Sequence, residues 1–193
     1  MYLVLEGIDG VGKTTQLGNL KQAFPDAVFT KEPGATALGG KIRELVLGEN
    51  DYATKSELFL FLADRAEHAQ KVLIPALDAG KDVISDRSLI SGIAYMHDDF
   101  DLEYLAEINR FAVDNLLPDK AVILTIDKTG YQERIHHRGE REDNIEKRGL
   151  EYMMQTQERF IRAAEVLGIP FMQIDARKSE HEIFEMIKEF VNG

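Results

Sequence analysis

The chain has 193 residues, of which 44% are hydrophobic and 30% charged, and it contains no cysteine. That length fits one domain, and a chain of this size buries roughly 70% of its unfolded surface. General disorder, a disulfide scaffold, a thiolate zinc site and a Cys nucleophile are therefore excluded. Lys plus Arg total 23 against 34 Asp plus Glu, a formal charge of −11. Such a surface repels nucleic acid and anionic membranes, so an anionic substrate would need the basic groups gathered at one place.

No apolar run approaches the ~20 residues of a membrane span. The opening MYLVLEGIDG carries no basic leader and no small-residue cleavage pattern, and reads as a mature cytosolic start, so the cytoplasm is the expected compartment. Tyr2 to Leu5 is a short apolar strand that runs into Gly-rich sequence. Lys13 to Phe24 reads as a helix stopped by Pro25, and Ala27 to Thr30 as a second strand. Leu38 to Leu47 is a short helix, and Ser56 to Leu77 a longer one that meets Pro75 near its end. Asp82 to Ser85 is a third strand, followed at once by Asp86 and Arg87. Leu102 to Leu116 is helical, closed by Pro118, and Ala121 to Ile126 is the best buried strand. Tyr131 to His137 begins a helix that breaks into the charged stretch Arg138 to Asp143. Ile145 to Leu167 is the longest helical pattern; Phe171 to Ile174 is a last strand and Glu180 to Val191 a last helix.

Short, nearly all-apolar strands alternating with helices imply a parallel sheet covered on both faces. The expected fold is an α/β three-layer sandwich with a five-stranded parallel sheet, in a single domain spanning 1–193 with a lid over about 137–145. Ligands of such sheets bind beyond the carboxyl ends of the strands.

There the sequence places Gly7-Ile8-Asp9-Gly10-Val11-Gly12-Lys13-Thr14, which fits G-x-x-x-x-G-K-[ST] without a mismatch. The glycines let successive N–H groups point inward at a phosphate, and the helix N-terminus adds its dipole. Lys13 supplies a point charge near the transferred group, and Thr14 a hydroxyl for Mg²⁺; Thr15 is expected, with the loop residues, to bind ATP. A phosphate loop alone leaves GTPases, motor ATPases, sulfotransferase relatives and small-molecule kinases open. Asp127-Lys128-Thr129-Gly130 offers a D-x-x-G, but it comes late and no N-K-x-D follows to read guanine. Asp86-Arg87 at a strand end suits a kinase, with Asp86 organising the Mg²⁺ shell and Arg87 neutralising an acceptor phosphate.

Phe61 and Arg65 stand four apart and share a helix face, so a ring could stack on a base while a guanidinium donates to a carbonyl. The plainer reading makes Phe59, Phe61 and Leu62 core and Arg65 a surface charge. Taken together, LEGIDGVGKTTQ, TKEPGATALGGKIREL, ELFLFLADRAEH, VISDRSLISGIAYM and ERIHHRGEREDNIE resemble the thymidylate kinase family in order and spacing, from about Tyr2 to Tyr152. The sequence departs from the family's common pattern at Lys31, Ala35, Ser88, Gly92 and Lys128-Thr129.

The resemblance implies a P-loop kinase fold and transfer of the γ-phosphoryl of ATP, with Mg²⁺, to dTMP. It implies that Asp9 receives the 3′-hydroxyl of the acceptor, that Glu32 and Pro33 form the turn beside it, and that Phe61 stacks on thymine while Arg65 binds its O4. Arg43 and Arg87 would grip the acceptor phosphate, Gly92 would lie at the base edge without a side chain, and Tyr95 would crowd the 2′ position. Gly10 stands where some relatives place an Arg, so the closing positive charge is expected from the lid, from Arg138 and Arg141, with Arg134 stacking on the donor adenine. The expected partners are ATP and dTMP, with no nucleic acid or membrane, and the family implies a homodimer formed through helices. A deoxynucleoside kinase and a non-catalytic ATP-binding module remain the rival readings.

Overall fold

The computed structural model describes residues 1–48, 51–96, 100–138 and 149–193. Five strands, β1 (Tyr2–Glu6), β2 (Val28–Lys31), β3 (Val83–Asp86), β4 (Lys120–Thr125) and β5 (Phe171–Asp175), form one parallel sheet in the order β2-β3-β1-β4-β5. The central strands are apolar on both faces because helices cover both: Leu3, Val4, Leu5, Val83, Ile84, Ala121, Val122, Ile123 and Leu124 have no accessible surface. At the sheet's edge, the β2 residues Val28, Phe29 and Thr30 are only half-buried. Helices α1 (Lys13–Ala23) and α9 (Glu180–Asn192) pack together. A second layer joins α3 (Thr54–His68), α5 (Leu89–Ala94), α6 (Leu102–Ala112) and α8 (Leu150–Leu167). The result is the expected three-layer α/β/α fold.

Local chemistry sets the helix ends. Thr36 caps α2 (Ala37–Leu47) by accepting from the Gly39 N–H, and Asp101 caps α6 by accepting from the Tyr104 N–H. Ser179 and Glu182 form a reciprocal capping box on α9, and Gly168, at φ 68°, ends α8 in the left-handed region.

Four elements differ from the sequence reading. The helix expected over Ser56 to Leu77 is interrupted: α3 passes through a π turn (Ala69–Leu73) into α4 (Ile74–Asp78). Pro75 has no N–H, and its ring would press on the carbonyl four residues back; the wider turn, in which the Ile74 N–H donates to Ala69 O, makes room. The helix expected to reach Leu116 stops at Ala112, because Asp114 and Asn115 adopt left-handed φ of 51° and 61°. Helix α7 (Lys128–Arg138) begins before Tyr131 because Asp127 Oδ1 accepts from the Gly130 N–H at 2.8 Å, so the D-x-x-G stretch is a helix cap. The six-residue α5 has too few residues to show a period, and the sequence reading missed it. Residues 145–148, where the long helical pattern was expected to start, lie outside the described residues.

This topology positions the site. From β1 the chain moves to β2, beyond β3 on one side; from β3 it moves to β4, beyond β1 on the other. Crossovers therefore diverge between β1 and β3, and the crevice at their carboxyl ends is the switch point where ligands of open α/β sheets bind. Register places Leu5 opposite Asp86 and Asp86 opposite Lys31, so the segments after β1, β2 and β3 leave the sheet at one level.

Candidate active site

The phosphate loop leaves β1 and enters α1 as the motif requires. Gly7, Gly10 and Gly12 have φ of 141°, 80° and 102°, conformations that bulky L-residues avoid. A Cβ on Gly7 would lie 2.6 Å from the Leu124 carbonyl oxygen. Ile8 and Val11 pack into the core, whereas Gly10, Thr14 and Thr15 face solvent. Lys13 is buried, and its Nζ donates to the carbonyls of Gly7 at 2.9 Å and Ile8 at 3.0 Å. Burial, then the charge of Arg87, lower its pKa to about 8, against the opposing pull of Asp9, Asp86 and Glu6.

Arg87 follows β3 with φ 70°, a strained value for a non-glycine residue. Its N–H donates to Leu5 O at 3.0 Å, tying the turn to β1. The guanidinium donates to Gly7 O, Ser91 Oγ and Asp9 Oδ1 at 3.0, 3.0 and 2.8 Å and lies 5.1 Å from the centre of the Tyr95 ring. Beneath it, Glu6 is fully buried and accepts from Ser88 Oγ at 2.6 Å and Ser91 Oγ at 2.5 Å. Burial raises the Glu6 pKa to about 7, although the serines, Arg87 and Lys13 all favour the charged form.

A second buried network starts at Glu32, whose bond to Pro33 is cis. Its carboxyl accepts from Arg65 Nε at 2.9 Å and pairs with His68 Nδ1 at 2.8 Å, while His68 Nε2 meets Thr30 Oγ1 at 2.7 Å. Burial alone would raise the Glu32 pKa, but Arg65 and His68 outweigh it and hold the carboxyl below its ordinary value. Asp64 Oδ1 accepts from the Gly34 N–H at 3.0 Å, and Arg43 donates to Pro33 O at 3.0 Å, so the turn after β2 is braced from α3 and α2.

The two networks face one cleft. All nine residues expected on the acceptor side, Asp9, Glu32, Pro33, Arg43, Phe61, Arg65, Arg87, Gly92 and Tyr95, line it. Leu47, Ser88, Ser91 and Met96 line it too, and the sequence reading did not find them as site residues. Glu6 was also missed, although a charged residue ending the apolar run YLVL is a visible signal. Arg65, the plainer reading of which was a surface charge, is instead buried with Phe61 at the cleft wall.

Beside the cleft, Thr14 and Asp86 share a second hollow with Lys31 and Gly34. Asp86 Oδ1 is buried there without a hydrogen-bond partner among the described residues. Thr14 and Asp86 both bring oxygen ligands to this hollow, and one Asp86 oxygen is unpartnered; these are the hard donors that Mg²⁺ takes, so the residues fit the ion. Arg134 of α7, expected beside the donor adenine, donates to Gly10 O at 3.4 Å and to Ala176 O. The side chain of Arg138, which ends α7, and the whole of Arg141 lie outside the described residues.

A sequence model of the family described as Thymidylate kinase matches residues 5–187. A thymidylate kinase of Wolinella succinogenes is 48% identical over 183 residues, covering 95% of this chain and 94% of that protein. One of Nautilia profundicola is 44% identical, covering 100% of this chain and 97% of its own length. One of Campylobacter jejuni is 42% identical, with 99% and 100% covered. A match over nearly the whole chain, on a sheet whose switch point carries a phosphate loop facing an arginine-lined cleft, makes this chain a member of the thymidylate kinase family.

Proposed function

We propose that the chain transfers the γ-phosphoryl group of ATP to dTMP, giving ADP and dTDP, as a step in dTTP supply. The observation that carries this reading is the acceptor cleft itself: in a chain with a formal charge of −11, Arg43 and Arg87 lie at one cavity beside the phosphate loop, with Phe61 and Arg65 on its wall. That arrangement suits a monophosphate dianion.

A phosphate oxygen of dTMP attacks the γ-phosphorus while the bond to the β,γ-bridging oxygen breaks and ADP leaves. The acceptor dianion is already nucleophilic, so no general base is required. Catalysis rests on alignment and charge neutralisation. Lys13 and Arg87 flank the transfer, and the lid residues Arg138 and Arg141 are proposed to complete the positive cage, with Arg134 near the donor base. Thr14 and Asp86 would hold Mg²⁺, which supplies charge neutralisation on the donor phosphates. Asp9 receives the 3′-hydroxyl, Phe61 stacks on the base and Tyr95 closes the 2′ side. A deoxynucleoside kinase has a neutral hydroxyl to deprotonate and less use for Arg43 and Arg87, which disfavours that rival.

Among the described residues no helix is long and apolar enough to cross a membrane. Within the same proposal the enzyme is cytoplasmic and homodimeric; the exposed Phe59 and Phe111 suit a helix-borne interface. A coupled ADP-release assay with dTMP, dUMP, dCMP, dGMP and thymidine tests the activity. dTMP is expected to be the best acceptor; turnover with thymidine alone, or with none of them, overturns the reading.

A further inference from the structure

Arg65 is almost fully buried, and three groups divide its guanidinium among them: Glu32 Oε2 takes Nε at 2.9 Å, Asn109 Oδ1 takes Nη1 at 2.5 Å, and Ser88 O takes Nη2 at 3.3 Å. A guanidinium carries five N–H groups. Two therefore remain, one on each terminal nitrogen, and the cleft wall is where Arg65 is open. Asn109 does not line that cleft; it stands behind it on the apolar face of α6, with no accessible surface, beside Leu105 and Ala106. Its Nδ2 donates to Leu105 O at 2.7 Å. That bond fixes which way the amide points, since a flipped amide would set its NH₂ against the cation and its oxygen against a carbonyl. Gly92 closes the arrangement from the other side: a Cβ there would lie 2.6 Å from both Nη1 and Nη2.

We infer that Asn109 is a positioning residue for base selection: it fixes the plane of Arg65 so that the remaining N–H donors meet a hydrogen-bond acceptor on the base edge. The inference rests on the proposed acceptor site and names the residue that makes its selectivity sharp. A fork of donors welcomes an oxo group at the pyrimidine 4-position and leaves an amino group facing like polarity. Without Asn109 the guanidinium keeps its charge and its Glu32 anchor but gains freedom to swing about Nε, so that it can follow a poor substrate instead of rejecting it. The unmet Nη1 donor would also need a new partner.

The test is a cycle between a protein position and a substrate atom. Steady-state kinetics are measured with dTMP and with its analogue lacking the 4-oxygen, for wild type, Asn109→Leu and Asn109→Ser. The serine variant keeps a hydroxyl that bonds back to Leu105 O on the helix but is too short to reach Arg65, and so guards against misfolding of the leucine variant. Wild type should lose roughly thirtyfold or more in kcat/KM when the 4-oxygen is removed, the scale of a charged hydrogen bond. In either variant that loss should shrink to about threefold or less, with KM for dTMP raised about tenfold and KM for ATP unchanged. If the variants penalise the analogue as strongly as wild type does, Asn109 has no positioning role and the inference fails. If wild type itself is indifferent to the 4-oxygen, both the inference and the assignment of Arg65 to the base fail.

Discussion

Asp9 Oδ1 and Arg87 Nη2 lie 2.8 Å apart in the cleft proposed to take the acceptor, the first from the phosphate loop and the second from the turn after β3. The two groups expected to hold opposite ends of the acceptor, its sugar hydroxyl and its phosphate, thus hold each other in the structure. Burial would lower the pKa of Arg87, but Asp9, with Tyr95, Asp86 and Glu6, raises it well above the ordinary arginine value, so Arg87 stays cationic at any working pH. Arg87→Ala should reduce kcat/KM for dTMP about a hundredfold or more, the usual consequence of losing a transition-state donor. Binding of thymidine, which has no phosphate, should change by less than about threefold, since the lost hydrogen bonds are not made to the nucleoside. Isothermal titration with thymidine beside initial-rate kinetics with dTMP separates the two effects; equal losses in both would assign Arg87 to the fold instead of the phosphate.

Lys13 provides a pH prediction. Its pKa of about 8 means that the uncomplexed protein sheds this charge just above neutrality, for reasons of burial first and repulsion by Arg87 second. An anionic phosphate restores the charged form, so ATP binding above pH 8 must take up a proton. Affinity should then weaken by up to about tenfold per pH unit above 8. Titration calorimetry in buffers of different ionisation enthalpy reads the proton directly, and affinity that stays level from pH 7 to 9.5 would contradict the prediction. Lys13→Met should lower kcat about a thousandfold while leaving the circular dichroism spectrum unchanged.

Glu6 couples stability to pH. Its folded pKa of about 7 lies above the ordinary 4.5, so the folded state binds a proton that the unfolded chain has released. The stabilisation is complete below about pH 4.5 and is lost as pH rises towards 7. Relative to Glu6→Gln, which keeps the neutral shape, wild type should lose about 3 kcal/mol between pH 4.5 and 7.5. Urea unfolding of both proteins across that interval measures the difference; a constant gap would mean that Glu6 stays ionised among its serines.

Gly92 is the remaining prediction. A methyl group at this position would press on the Arg65 guanidinium, which Glu32, Asn109 and Ser88 hold in place. Gly92→Ala should raise KM for dTMP about tenfold through that displacement, with a smaller effect on kcat. An unchanged KM would show that Arg65 has room the structure does not reveal.

What could be read from the chain and what could not divide along sequence distance. The phosphate loop, the Asp86-Arg87 pair and the Phe61–Arg65 spacing are local patterns, and each can be read within ten residues. The alternation of apolar strands and helices likewise sets the sheet before any contact is known. Asn109 is different: it serves Arg65 from 44 residues away, across the packing of α6 on α3. On its own helix it is only a polar residue on an apolar face. Ser88 and Ser91 look like ordinary loop and helix residues until Glu6, more than 80 positions earlier, turns up beneath them. The π turn before Pro75 could be anticipated as a disturbance, but its form depends on which carbonyl has room to move.

One oxygen joins the two halves of the proposed catalytic apparatus: the carbonyl of Gly7 receives both the ammonium of Lys13 and the guanidinium of Arg87. It belongs to the main chain, at a position where Leu124 leaves no space for any side chain. Mutation can therefore retune the groups around this fulcrum, one nucleotide's side at a time, but it has no handle on the fulcrum itself.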